Sequence, residues 1–142
     1  CASPSRGATP VNPKQHRTRP GDRTTARSRR QVAEKYLEAA DLIATEDGAA
    51  INVCVGNAIL AGIAAGDAIC MAAIGERYAG QDHSAAAEFL GRVNQDLGKR
   101  LGALVRLKAA AHYGDHLLSA TDRDLALRQA TALVNAATQR TI

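Results

Sequence analysis

Large aromatic side chains are nearly absent from this chain. There is no tryptophan, a single phenylalanine (Phe89), and aromatics make up 3% of the residues. A core of alanine, leucine, isoleucine and valine suits closely packed helices. It excludes a β-sandwich, whose strands favour aromatic and β-branched residues. No Val/Ile/Thr-rich alternating stretch suggests a strand, and no internal repeat occurs. Cysteine is scarce as well. Cys1, Cys54 and Cys70 are odd in number and irregular in spacing, which excludes a disulfide framework and fits a reducing cytoplasm. Also missing are a glycine-rich phosphate loop, zinc-ligand spacing and a nucleophile elbow. No metal and no cofactor is therefore expected.

Proline is confined to one end. Pro4, Pro10, Pro13 and Pro20 all fall within the first twenty residues, among Ser, Thr, Arg and Gly. Charge is divided in the same way. Residues 1–30 carry eight basic side chains against one acid, a net of +7, whereas residues 31–142 carry ten against thirteen, a net of −3. The opening stretch has too little apolar surface to offset its ordering entropy. Residues 1–24 are expected to be a disordered basic tail, and residues 25–142 a helical domain. A basic arm of this kind is able to touch nucleic acid, or to be a spectator extension.

Beyond the tail, the apolar residues recur with a helical period. Ala33, Tyr36, Leu37, Ala40 and Ala44 mark a helix over 30–46, broken at Asp47-Gly48. Residues 49–74 are the most apolar segment, long enough to span a membrane. Asn52, Asn57 and Asp67 interrupt it, and no flanking basic cluster follows. The segment is expected to be the central helix of a bundle, with no membrane involved. Its Ala58, Gly62 and Gly66 are spaced by four, a small-residue stripe that lets another helix approach closely, and dimerisation through the Ala/Gly-rich helices is expected. A loop over 75–81 precedes a helix over 84–93. Asn94 caps the next helix, which carries Leu97, Leu101, Leu104 and Val105 and is expected to run to Tyr113-Gly114. Ser119 and Thr121 each precede an acid by three residues, as in a capping box, before a last helix. The fold class expected is an all-α antiparallel up-down bundle of four to five helices.

Chemistry-bearing residues gather late in the chain, from Arg106 through Lys108 and His112-Tyr113-Gly114 to His116. His112 and His116 are four apart, but Gly114 intervenes and no third ligand is evident, so a metal site is not expected. Asp67 sits among apolar helical neighbours. A buried carboxylate needs a partner, and Arg106, Lys108 or His112 are the candidates. Such a contact either orients a catalytic group or fixes helix register. On one straight helix, six residues at about 100° each put Arg106 and His112 roughly 120° apart. Lys108 and His112 then share the stripe of Leu97, Leu101 and Leu104, and Arg106 points the other way with Tyr113.

Three runs carry a family resemblance: Gly66-Asp67-Ala68-Ile69-Cys70, Gly80-Gln81-Asp82-His83, and Arg106-Leu-Lys-Ala-Ala-Ala-His112-Tyr113-Gly114. Together they resemble an actinobacterial branch of the HEPN superfamily over roughly residues 30–140. Arg106 and His112, with five residues between them, are similar to that superfamily's Arg-x(4–6)-His pattern. The resemblance implies a bundle of four to five helices that forms a homodimer, the Arg and His of both chains lining one cleft. It implies a metal-independent endoribonuclease, among them the toxins whose antitoxin partner is a minimal nucleotidyltransferase. It equally implies a non-catalytic module that binds a nucleotide, nucleic acid or protein. In the catalytic case Arg106 is the phosphate clamp and His112 the acid/base. Lys108 holds backbone, Tyr113 is an auxiliary donor, and Asp67 a supporting residue. Leu107 follows Arg106 where many active members have a polar residue, and Tyr113 follows His112 directly rather than two places on.

Overall fold

The computed structural model describes residues 17–114 and 116–142. Among the described residues the fold is all-α apart from one pair of short antiparallel strands. Its order is β1 (Thr18–Pro20), α1 (Arg23–Ile43), α2 (Ala49–Ile74), β2 (Glu76–Tyr78), α3 (His83–Val93), α4 (Gln95–Val105), α5 (Lys108–Tyr113) and α6 (Ala120–Arg140).

Helix α2 is the axis of the molecule. It is apolar on all sides, as a helix enclosed by others must be, and α1, α3, α4, α5 and α6 all pack on it. Among the described residues it is the one helix long and apolar enough to cross a membrane, and 78% of its most apolar window is buried inside the fold. It starts at the Asp47-Gly48 break and ends at Gly75, whose φ of 73° supplies the left-handed cap. Alanines let its neighbours come close. Ala26, Ala33 and Ala40, seven apart on α1, are buried, as are Ala126, Ala130 and Ala137 on α6. The Ala58-Gly62-Gly66 stripe is consumed in the same way. A Cβ on Gly62 would collide with Leu104, and one on Gly66 would press on Leu101 and Leu90. The helices that the stripe admits are thus this chain's own, whose leucines fill it.

Three expectations are corrected. Residues 18–24, placed in the tail, are ordered here. β1 pairs antiparallel with β2, with Arg19 opposite Arg77, and Gly21 N–H donates to Gly75 O at 2.9 Å. Asp22 then caps α1, its carboxylate accepting from Thr25 N–H at 2.9 Å. Helix α1 therefore starts seven residues before the expected 30 and ends at Ile43. The partner strand lies in the 75–81 connection, far along the chain, so no local pattern announces the pairing. Residues 1–16 of the expected tail lie outside the described residues.

The helix expected to run from Gln95 to Gly114 is divided. It stops at Val105, the chain turns through Arg106-Leu107, and α5 starts at Lys108. No glycine or proline stands at the break. The turn brings Leu107, Ala110 and Ala111 against the core, which a straight continuation would not. Finally, Asp67 pairs with none of its three expected partners. Its Oδ2 lies 3.1 Å from Nη2 of Arg29 on α1. The caps fare better. Asn94 accepts from Leu97 N–H at 2.9 Å. Ser119 and Asp122 form the reciprocal capping box that opens α6.

Candidate functional site

Helices α3 and α4 form a tight antiparallel pair, and their register places the site. Gly98 lies so close to Gly91 that an added Cβ would stand 2.5 Å from its Cα, and a Cβ on Gly102 would meet Ala87 at 3.9 Å. One turn further on, Ser84 and Arg106 line the same cleft, of about 500 Å³, together with Glu88. The start of α3 therefore lies opposite the Arg106-Leu107 turn. Arg106 lies back along α4, its Nη1 3.8 Å from where a Gly102 Cβ would be. Its guanidinium serves the α3/α4 side of the molecule.

On the other side of the turn, α5 lies against α2. Asn52 holds it there. Its side-chain N–H reaches Ala110 O at 3.4 Å, and its Oδ1 accepts from Leu118 N–H at 2.9 Å. One α2 residue thereby ties down both the end of α5 and the approach to α6. Gly56 leaves room for an imidazole, since a Cβ there would lie 3.1 Å from Cε1 of His112. His112 opens into a shallow groove of about 280 Å³ with Asn57 and Leu60. Lys108 stands one helical turn before it, on the same face of α5. Tyr113 follows, 76% exposed, with its ring centroid 6.1 Å from that of His112.

Of the five residues singled out in the sequence, three share this region: Lys108, His112 and Tyr113. Arg106 lines a different cleft, so one chain does not bring Arg106 and His112 into a single site. Asp67 contacts none of the other four and lies against Arg29 of α1, within the electrostatic reach of Arg77 of β2. Burial pushes its carboxyl above the usual range, outweighing the opposing pull of Arg29 and Arg77. Two thiols are likewise buried and unreactive. Burial, and then the neighbouring Asp67, push Cys70 up to about 12, and burial raises Cys54, whose Sγ donates to Ala40 O.

The chain matches no protein-family model, no curated protein and no solved structure. The site is therefore read from its own residues.

One of those residues was not chosen from the sequence. His83 is the first residue of α3, half-buried, with Asp82 as its cap. Burial lowers its imidazole pKa and Lys108 lowers it further. Asp82 opposes them, and His112 adds a smaller downward push. Lys108 and His112 are thus within electrostatic reach of His83, although 25 residues of sequence separate His83 from Lys108. The signal available beforehand was the Asp82-His83 pair at a helix start. It marks the cap but not what faces it.

Proposed function

We propose that the chain is a HEPN-like protein that acts on RNA by metal-independent cleavage, with His112 as its proton-transferring group. The observation that carries this reading is the exposed imidazole of His112, seated over Gly56, with the Lys108 ammonium one turn away on the same face. RNA carries its own nucleophile. The 2′-hydroxyl attacks the adjacent phosphorus, its proton passes to a base, and the 5′-oxygen leaves with a proton from an acid. The products are a 2′,3′-cyclic phosphate and a 5′-hydroxyl. An imidazole near neutrality serves that exchange, and a cation stabilises the charge gathered on phosphorus. Lys108 is placed for this within one chain. Arg106 takes part only from a second copy, so on this reading the working form is a homodimer that buries a surface other than the Ala58-Gly62-Gly66 stripe. A toxin whose antitoxin is a nucleotidyltransferase, acting in the cytoplasm, is the biological setting that the sequence resemblance implies.

A second reading is favoured by the separation of Arg106 from His112 into two clefts. On it the domain binds a nucleotide, nucleic acid or protein partner without cleaving it. The discriminating experiment is cleavage of total and transfer RNA in EDTA by the wild type and by His112→Ala, with circular dichroism to verify folding. Loss of about a hundredfold or more in the variant is expected for a residue in general acid-base catalysis. Equal cleavage by both, or none by either, selects the binding module. Light scattering at micromolar concentration tests the dimer, and a monomer rules out the composite site.

A further inference from the structure

We propose that the groove between α2 and α5 is a pocket for one unpaired adenine base, and that Asn57 is the residue that reads it. The proposal rests on the RNA reading only in taking a nucleotide as the class of ligand. Asn57 takes no part in the proton transfers assigned to His112.

The geometry comes from α2. Val53, Gly56, Asn57 and Leu60 stand at i, i+3, i+4 and i+7 and so share one face of that helix. With His112 of α5 they line one groove of about 280 Å³. Gly56 has no side chain to fill it, and the His112 imidazole closes one side, its Cε1 3.1 Å from where a Cβ would stand. Most of α2 is enclosed by other helices. Here, by contrast, Val53 is 53% exposed, and Asn57 and Leu60 are half-buried. Two carboxamides border the groove. Asn52 is committed to Ala110 O and Leu118 N–H, at 3.4 and 2.9 Å. Asn57 is not: among the described residues its amide makes no hydrogen bond. A half-buried amide between two aliphatic side chains loses hydration without compensation, and a ligand with a polar edge restores what is lost.

The chemistry of the groove selects a nucleobase. Val53 and Leu60 offer apolar surface to the faces of a flat ring, and Asn57 offers one donor beside one acceptor to its edge. The volume is below that of a pocket for a whole drug-sized ligand, so it suits one base and not a base pair. A base in a duplex has its edge occupied and its faces stacked, so the base taken is unpaired. A purine covers more of Val53 and Leu60 than a pyrimidine does. Between the purines, adenine meets a carboxamide on two edges, through N6 with N7 or N6 with N1. Guanine meets it on one. Asn57 Oδ1 then accepts from the adenine amino group and Nδ2 donates to the ring nitrogen, the pairing by which asparagine reads adenine elsewhere. On the RNA reading, cleavage falls beside adenosines.

The test is equilibrium binding of the four ribonucleoside 3′-monophosphates to the full chain, followed by NMR at the Asn57 side-chain amide and the His112 Cε1 proton. The adenosine nucleotide is expected to bind about tenfold more tightly than the other three, the value of one bidentate pair. Asn57→Ala, folded by circular dichroism, is expected to bind all four alike. Asn57→Asp keeps the shape but only accepts, and is expected to turn the preference to guanosine, whose N1–H and N2–H both donate. A wild type without base preference overturns the proposal. So does a loss in Asn57→Ala that is equal for all four nucleotides, which is what a merely structural role gives. Single-stranded oligoadenylate binding more tightly than the monophosphate assigns the adenine to RNA, and equal binding assigns it to a free nucleotide. Oligoadenylate paired with oligouridylate binding as tightly as the single strand overturns the pocket. The two readings fail separately. RNA cleavage lost in His112→Ala, without any base preference, keeps the nuclease and sinks the pocket. Adenine preference without any cleavage keeps the pocket and sinks the nuclease.

Discussion

Replacing Gly98 by alanine is expected to destabilise the protein by about 2 kcal/mol, whereas the same change at Gly91 is expected to stabilise it by roughly 0.5–1 kcal/mol. The two glycines touch each other across the α3/α4 contact, yet their Cβ directions differ. At Gly98 the added methyl would lie 2.5 Å from Gly91 Cα, 2.8 Å from Gly91 N and 3.0 Å from Ala87 O. All three are backbone atoms, so no side chain can rotate away and the helices must separate to reach ordinary contact near 3.5–4.0 Å. Overpacking of this kind costs about 1–3 kcal/mol, occasionally more, and the helix preference of alanine over glycine returns at most about 1 kcal/mol. At Gly91 nothing lies within 4 Å of the new methyl, and only the favourable helix contribution remains. Urea unfolding followed by far-ultraviolet circular dichroism measures both variants, and an unchanged m-value confirms that the folded states are compared like for like. Equal stability of the two variants would refute the close approach of α3 and α4.

Other outcomes follow from the ion pair and the caps. Arg29→Ala strands a buried carboxylate and is expected to cost about 1–3 kcal/mol at neutral pH, less than a fully buried pair because Arg29 is 37% exposed. Asp67→Asn should cost less than Arg29→Ala in the same urea experiment, because the freed guanidinium can turn to solvent. Burial raises the Asp67 pKa above its ordinary 3.8, so the folded state holds that proton more tightly than the unfolded chain. Its contribution is fully present below 3.8 and is lost as pH rises through the raised value. The stability of the wild type relative to Asp67→Asn should fall across that window, and a rise would contradict the assigned direction. Ser119→Ala removes half of the α6 capping box and should lower stability by about 1 kcal/mol, read as a lower thermal midpoint.

The helical class was legible because it depends on local physics. Helix α2 was read with its observed ends, 49 and 74, from an apolar run, uncharged as far as Gly66, set between the Asp47-Gly48 break and Gly75. The caps Asn94 and Ser119 act within three residues of themselves and were read correctly. The shared face of Lys108 and His112 followed from helical periodicity, and it holds although the helix was expected to be longer.

What the sequence could not decide was the pairing of distant groups. Asp67 announced that it needed a partner, by its apolar neighbours, but the choice of Arg29 depends on which helix packs over the C-terminal half of α2. The pairing of β1 with β2 joins residues some sixty apart, with no alternating pattern in either three-residue strand. The break after Val105 has no breaker residue and arises from packing of Leu107 on the core. Arg106 and His112 fall in different clefts on the two sides of that same turn. Periodicity and capping are written within a turn or two of chain. Which basic groups border one patch is set by helices closing on each other, and the tertiary structure alone decided it.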